Sequence, residues 1–144
     1  MTTVGNVLQI KGREVWSVPP HALVYDALKV MAEKNVGVLL VMEDRKLVGV
    51  FSERDYARKI ALKGVSSHTS PVKNIMTSVV VTVRREQSID ECMTLMTEKH
   101  VCHLPVVEND EVVGLISIGD VVKAMISERE HTIKQLENYI TGSR

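Results

Sequence analysis

The chain is an internal duplication, and that limits its fold more than anything else in the sequence. Slid against itself by 65 residues, segment 15–56 falls on segment 80–121 without a gap, and thirteen of the 42 pairs are identical. Met31, Glu33, Lys34, Val36, Leu39, Gly49, Ser52 and Asp55 are among the residues that recur 65 positions later. Other pairs keep their chemistry, as Val24 does with Ile89 and Asp26 with Glu91. Self-similarity at a fixed period marks one folding unit present in more than one copy. A single copy, about 50 residues long, has little core of its own, so two copies are expected to share one through their sheets. The expected division is an N-terminal segment and first unit over 1–65, a polar linker containing Pro71 over 66–78, a second unit over 79–127 and a helical extension over 128–144.

Both copies run through the same elements. A short β-branched stretch comes first, VWSV at 15–18 and VVVTV at 79–83. A helix follows, because Val24, Ala27, Leu28 and Met31, and again Ile89, Cys92, Met93 and Met96, occupy i, i+3, i+4 and i+7. Ser88 and Glu91 have capping-box spacing at the start of the second of these helices, whereas Leu23 stands at the matching place in the first. The short apolar runs VGVLLVM (36–42) and VCHLPVV (101–107) suit strands buried on both faces. A polar turn, EDRK (43–46) or ENDE (108–111), then returns the chain as a hairpin through LVGVF (47–51) or VVGLI (112–116). A second helix is expected just after Ser52 and Ser117. Each unit is therefore β-α-β-β-α, and the class is α/β (α+β).

Composition removes several function classes. Aromatic residues are only 3% of the chain, so the core must be aliphatic. Eighteen basic and eighteen acidic residues cancel, which argues against nucleic-acid binding, since that needs a basic footprint. The same balance withholds net charge as an aid to solubility, so an oligomer is expected. No apolar run approaches the roughly 18 residues of a membrane span. The start has neither the layout of a secretory signal nor the Arg- and Ser-rich character of a transit peptide. Two cysteines, Cys92 and Cys102, cannot build a disulfide framework, and a reduced, cytoplasmic setting is expected. Val122, Ile126, Ile133, Leu136 and Ile140 recur at heptad spacing, with Arg129 interrupting the series. That period suits a helix lying along another, either in its own domain or in a second subunit.

The segments GVFSERD (49–55) and GLISIGD (114–120), with VCHLPVV (101–107) and VKNIMT (72–77), complete a recognisable pattern. A β-α-β-β-α unit ending in Gly-apolar-apolar-Ser-x-x-Asp resembles the cystathionine-β-synthase (CBS) domain, here as a tandem pair covering residues 15 to about 127. The chain is also similar to stand-alone CBS-pair proteins of bacteria and plant organelles. The resemblance implies two units packed through their sheets by pseudo-twofold symmetry. It implies a non-enzymatic regulatory module with two clefts for adenosine-containing ligands: AMP foremost, then ATP, NAD or NADH, or S-adenosylmethionine. It further implies a homodimer, with an unidentified regulated protein downstream.

Chemistry agrees with such a site. Asp55 and Asp120 stand near helix starts, where a carboxylate accepts hydrogen bonds from both hydroxyls of a ribose. Ser52 and Ser117, three residues earlier, suit a phosphate that free helix N–H groups also face. The same Ser and Asp pairs equally suit plain helix capping. Arg54 and His103 match places where the family often puts phosphate contacts, and Arg58 and Lys59 add charge one turn on. Gly119 replaces Arg54 in the second copy, so the two clefts are not equivalent. Val38, Val36 and Val101 suit an apolar wall against an adenine ring, and Ser17 and Thr82 suit its polar edge. His100, Cys102 and His103 do not converge from a strand, because residue 103 points away from the other two, and no metal is expected. No nucleophile elbow, P-loop or GxGxxG appears, so no catalysis is expected. The competing reading is a protein-interaction or oligomerisation module with vestigial nucleotide sites, motivated by the C-terminal heptads.

Overall fold

The computed structural model describes residues 1–141. They form two compact units, each built around one copy of the repeat: Glu14–Val80 with Asn109–Val112 in the first, and Met1–Arg13, Val81–Glu108 and the chain from Val113 onward in the second.

The first unit contains strand β1 (Ser17–Val18), helix α2 (Val24–Lys34), strands β2 (Val38–Glu43) and β3 (Lys46–Ser52), and the short helix α3 (Glu53–Tyr56). β1 runs parallel to β2, and β2 pairs antiparallel with β3 in the order β1-β2-β3. The expected apolar stripe buries Val24, Ala27 and Met31 of α2. No side chain caps α2 at Leu23. Asp44 and Arg45 both have positive φ, which is the two-residue hairpin turn whose twist matches that of the strands. Val38 to Val41 are buried along β2, as a strand covered on both faces requires. After α3 the chain forms a π-helical turn, Ala57–Ala61, where the Leu62 N–H reaches back five residues to the Ala57 carbonyl at 3.1 Å.

The second unit contains helix α1 (Val4–Lys11), helix α4 (Ile89–Lys99), the hairpin of β4 (His103–Glu108) and β5 (Glu111–Ser117) apart from its Asn109–Val112 tip, and the long helix α5 (Ile118–Thr141). The capping box at Ser88 is present as expected. Asn109 and Asp110 repeat the positive-φ turn. VVVTV does not form a strand comparable to β1: only Val83 bridges to Val106. Pro105 explains this. In the first unit the Leu40 N–H donates to the Trp16 carbonyl at 3.0 Å, and Pro105, the counterpart of Leu40, has no N–H to give.

Two sequence expectations are refined. Residues 66–78, expected as a polar linker, do more than connect, because Val72 and Ile75 are buried in the first unit's core. Thr77 exchanges two backbone hydrogen bonds of 2.9 Å with Val50. Conversely, residues 1–13 precede the first copy in sequence but pack with the second unit. α1, started by a Thr3/Asn6 capping box, buries Val4, Val7 and Leu8 in the core of the second unit. The offset of 65 also relates 7–12 to 72–77, with Val7 matching Val72 and Ile10 matching Ile75. Each copy therefore contributes its leading segment to the core of the other.

Candidate functional site

The two Ser-x-x-Asp sequences start helices in the same way. In the first unit the Ser52 N–H donates to Asp55 Oδ2 at 3.0 Å, and the Asp55 N–H donates to Ser52 Oγ at 3.2 Å. In the second, the Ser117 N–H donates to Asp120 Oδ2 at 2.8 Å, and the Asp120 N–H donates to Ser117 Oγ at 3.1 Å. Both pairs are thus reciprocal helix caps. Each helix start is also tied to the residue just before the strand that opens its hairpin. Glu53 N–H donates to the Gly37 carbonyl at 3.1 Å, and Ile118 N–H donates to the Cys102 carbonyl at 2.8 Å.

The two carboxylates acquire different cations. Asp55 is buried, accepts from Thr77 Oγ1 at 3.2 Å and lies 3.2 Å from Lys59 Nζ, which also donates to the Ile75 carbonyl at 2.9 Å. Asp120 is half-buried and receives Lys11 Nζ at 2.5 Å, and the same ammonium donates to the Leu115 carbonyl at 2.7 Å. Burial opposes ionisation of Asp120. The hydrogen bonds from Lys11 and Ser117 and the charge of Lys11 outweigh it, and hold the carboxyl below its ordinary value.

His103 belongs to this second cluster. Burial lowers its imidazole below 6.5, the positive charge of Lys11 lowers it further, and Asp120 partly opposes both. The fold therefore prefers neutral His103, while the unfolded chain takes up a proton near pH 6.5. Stability from this group is complete above about pH 6.5 and falls as the pH drops below it. The contribution of Asp120 is complete above 3.8 and is lost as the pH falls further. The thermal midpoint of the wild type should thus decline between about pH 7 and pH 5, and His103→Gln should decline less over that range.

The remaining predicted contacts are distributed as follows. Val38 lies opposite Ser52 in the β2–β3 register, so wall residue and helix cap are neighbours. Ser17 pairs with Leu40, two residues along β2. Arg54 is exposed on α3, and Arg58 is exposed on the π-helical turn after it. Val101 is half-buried in the second unit beside its core, whereas Thr82 is exposed. Val36 lines an open hollow of about 420 Å³ with Leu28, Met31, Asn35, Gly37 and Glu53. None of the other predicted contacts lines it. Sequence reasoning missed Lys11 and Thr77. The signal was available, since carrying the 65-residue offset back to 7–12 would have marked both as parts of equivalent leading segments.

Other chemistries find little here. Among the described residues, no group of three or more His, Cys, Asp or Glu side chains is placed to hold a metal ion. Cys92 is buried, and that burial, with Glu91 alongside, pushes its thiol up to about 11, the behaviour of a packing residue and not a nucleophile. Among the described residues, no helix is long and apolar enough to cross a membrane.

Comparison with known proteins agrees with this arrangement. The family model of the CBS domain matches residues 7–62 and 72–127, the same 65-residue offset. CBSX3, a mitochondrial CBS domain-containing protein of Arabidopsis thaliana, is 38% identical over an alignment spanning 98% of this chain and 73% of that protein. A solved CBS-domain protein of Burkholderia ambifaria is 47% identical with a TM-score of 0.84, over 88% of this chain and 95% of that one. A CBS domain pair solved in complex with methylthioadenosine and S-adenosyl-L-methionine shares the fold, with a TM-score of 0.77 at 22% identity over 89% of this chain and 98% of that one. With both repeats matched and their helix starts built alike, the chain belongs to the CBS-domain family, as a tandem pair.

Proposed function

We propose that this chain is a non-enzymatic regulatory module that binds adenosine-containing nucleotides at its Ser-x-x-Asp helix starts, with AMP first and ATP or NAD(H) as alternatives. The supporting observation is the duplicated constellation itself. Each helix start sets a carboxylate, suited to ribose hydroxyls, beside a lysine suited to phosphate. The predicted contacts Ser17, Val36, Val38, Ser52, Arg54, Asp55 and Arg58 serve the first copy. Thr82, Val101, His103, Ser117 and Asp120 serve the second. Adenosine ligands bound by a structural relative of the same fold are consistent with this reading. Binding transmits a signal only if one arrangement of the protein has higher affinity for the ligand than another. We place the protein in the cytoplasm as a homodimer acting on a separate regulated protein.

Thermal unfolding with AMP, ADP, ATP, NAD, NADH and S-adenosylmethionine tests this. A ligand at 100 times its Kd stabilises by about 2.7 kcal/mol, which raises the midpoint by several degrees. Asp55→Ala and Asp120→Ala each lose a cap, so each variant is compared with its own unliganded midpoint. At least one nucleotide should shift the wild type, and each substitution should reduce the shift by a different amount, because Gly119 stands in the second copy where the first has Arg54. A panel with no shift would overturn the reading in favour of an interaction module.

A further inference from the structure

Helix α5 extends well past its packed turns. Val121 is buried, and Ala124 and Met125 pack against the second unit's core. Glu128 accepts the Thr2 N–H at 3.3 Å. Every described residue from Arg129 onward is exposed. Along one face run Val122, Ile126, Ile133, Leu136 and Ile140, between 42% and 81% exposed, with Arg129 in the same line. The spacing alternates 4, 3, 4, 3, 4, so these six alternate between the d and a positions of a heptad, beginning with Val122 at d.

The charges along this face select one partner and one orientation. A parallel pairing with a second copy sets Arg129 against the partner's Arg129. It also sets Met125 and Thr132 beside the partner's glutamates, with no opposite charges at the flanks. An antiparallel pairing places a against d. The layers become Val122 with the partner's Ile140, Ile126 with the partner's Leu136, and Arg129 with the partner's Ile133, and the twofold repeats each one. Lys123 then faces the partner's Glu137 twice. Arg129 lies beside the partner's Glu130, which offsets the approach of the two Glu130 side chains. No flanking position is left with an uncompensated like charge. A membrane surface is a poorer occupant, because Glu130 and Glu137 border the apolar line on one side. We propose that α5 is a dimerisation helix, pairing antiparallel with α5 of a second copy about a twofold axis near His131. This inference does not depend on nucleotide binding.

Interchain disulfide formation in the full chain tests the register. In a Cys102→Ser background, Arg129→Cys and Ile133→Cys chains are oxidised separately and as a mixture, one of them carrying a mass tag. The mixture should give the tagged–untagged heterodimer, and neither chain alone should cross-link, because like positions are too far apart for a disulfide. Sedimentation equilibrium supplies the second arm. Leu136→Asp should leave a monomer with an unchanged thermal midpoint for that monomer. Glu137→Lys should raise the dimer Kd about tenfold, and Lys123→Glu with Glu137→Lys should restore it. Cross-linking of either single-site chain alone, a monomeric wild type, or a dimer indifferent to Leu136→Asp would each overturn the proposal.

Discussion

Phe51→Ala is expected to destabilise the protein by about 3–5 kcal/mol and to lower its thermal midpoint by roughly ten degrees or more. Phe51 is the chain's one phenylalanine and is fully buried in β3, opposite Leu39. It shares one buried core with aliphatic side chains from three segments: Val24, Ala27 and Met31 of α2, Leu39 and Val41 of β2, and Val72 and Ile75 of the segment after the π-helical turn. Removing the ring leaves a void that these side chains, held by separate elements, cannot close together. The loss is a large fraction of a typical domain stability of 5–15 kcal/mol. Phe51→Leu keeps most of the volume and should cost less than about 1.5 kcal/mol. Trp16 packs on the same core and is the chain's one tryptophan, so its fluorescence follows this unit directly in urea unfolding. A Phe51→Ala midpoint within error of wild type would show that the first unit is not held by this core.

The order of elements was legible because apolar periodicity differs between helix and strand. The stripe of Val24, Ala27, Leu28 and Met31 and the runs at 36–42 and 101–107 leave little choice at those positions. Similarly, Ser-x-x-Asp before a helix is a local signal, and both helix starts formed where it occurs. What stayed hidden is non-local. Nothing in the neighbourhood of Asp120 announces Lys11, which lies 109 residues away. The segment after the π-helical turn has a polar composition, and the two residues that anchor it, Val72 and Ile75, are too few to stand out. The short β1 also failed to recur through a single atom group, the N–H that Pro105 lacks.

Gly114→Val is expected to strain β5 against Leu8 of α1, and its effect should approach that of Phe51→Ala. Gly49 and Gly114 are a duplicated pair, and the reason for both is close approach by a leading segment. A Cβ on Gly49 would stand within van der Waals radii of Met76 Sδ and 3.1 Å from the Thr77 carbonyl oxygen, and one on Gly114 would stand 2.6 Å from Leu8 Cδ2. The two neighbours differ in what they can do. Met76 is half-buried and flexible, and its thioether can swing aside. Leu8 is 2% exposed among Val4, Val7 and the second core, so its isobutyl group has nowhere to go. A valine at 114 must therefore either strain the strand by about 1–3 kcal/mol or displace α1. Displacement gives up the burial of Val4, Val7 and Leu8 at about 1.5–3 kcal/mol each. The cheaper route still costs on the order of 3 kcal/mol once the Lys11–Asp120 contact is strained as well. Amide hydrogen exchange distinguishes the routes, because released helix loses protection from Val7 to Gly12 while β4 and β5 keep theirs. Gly49→Ala is the control, with a smaller fall in midpoint and protected amides in α1. Since α1 carries Lys11, its release should also alter any nucleotide response that depends on Asp120 and leave that of Asp55 intact. A Gly114→Val protein with a wild-type midpoint and a protected α1 would show that Leu8 yields, and that the glycine is not what seats the helix.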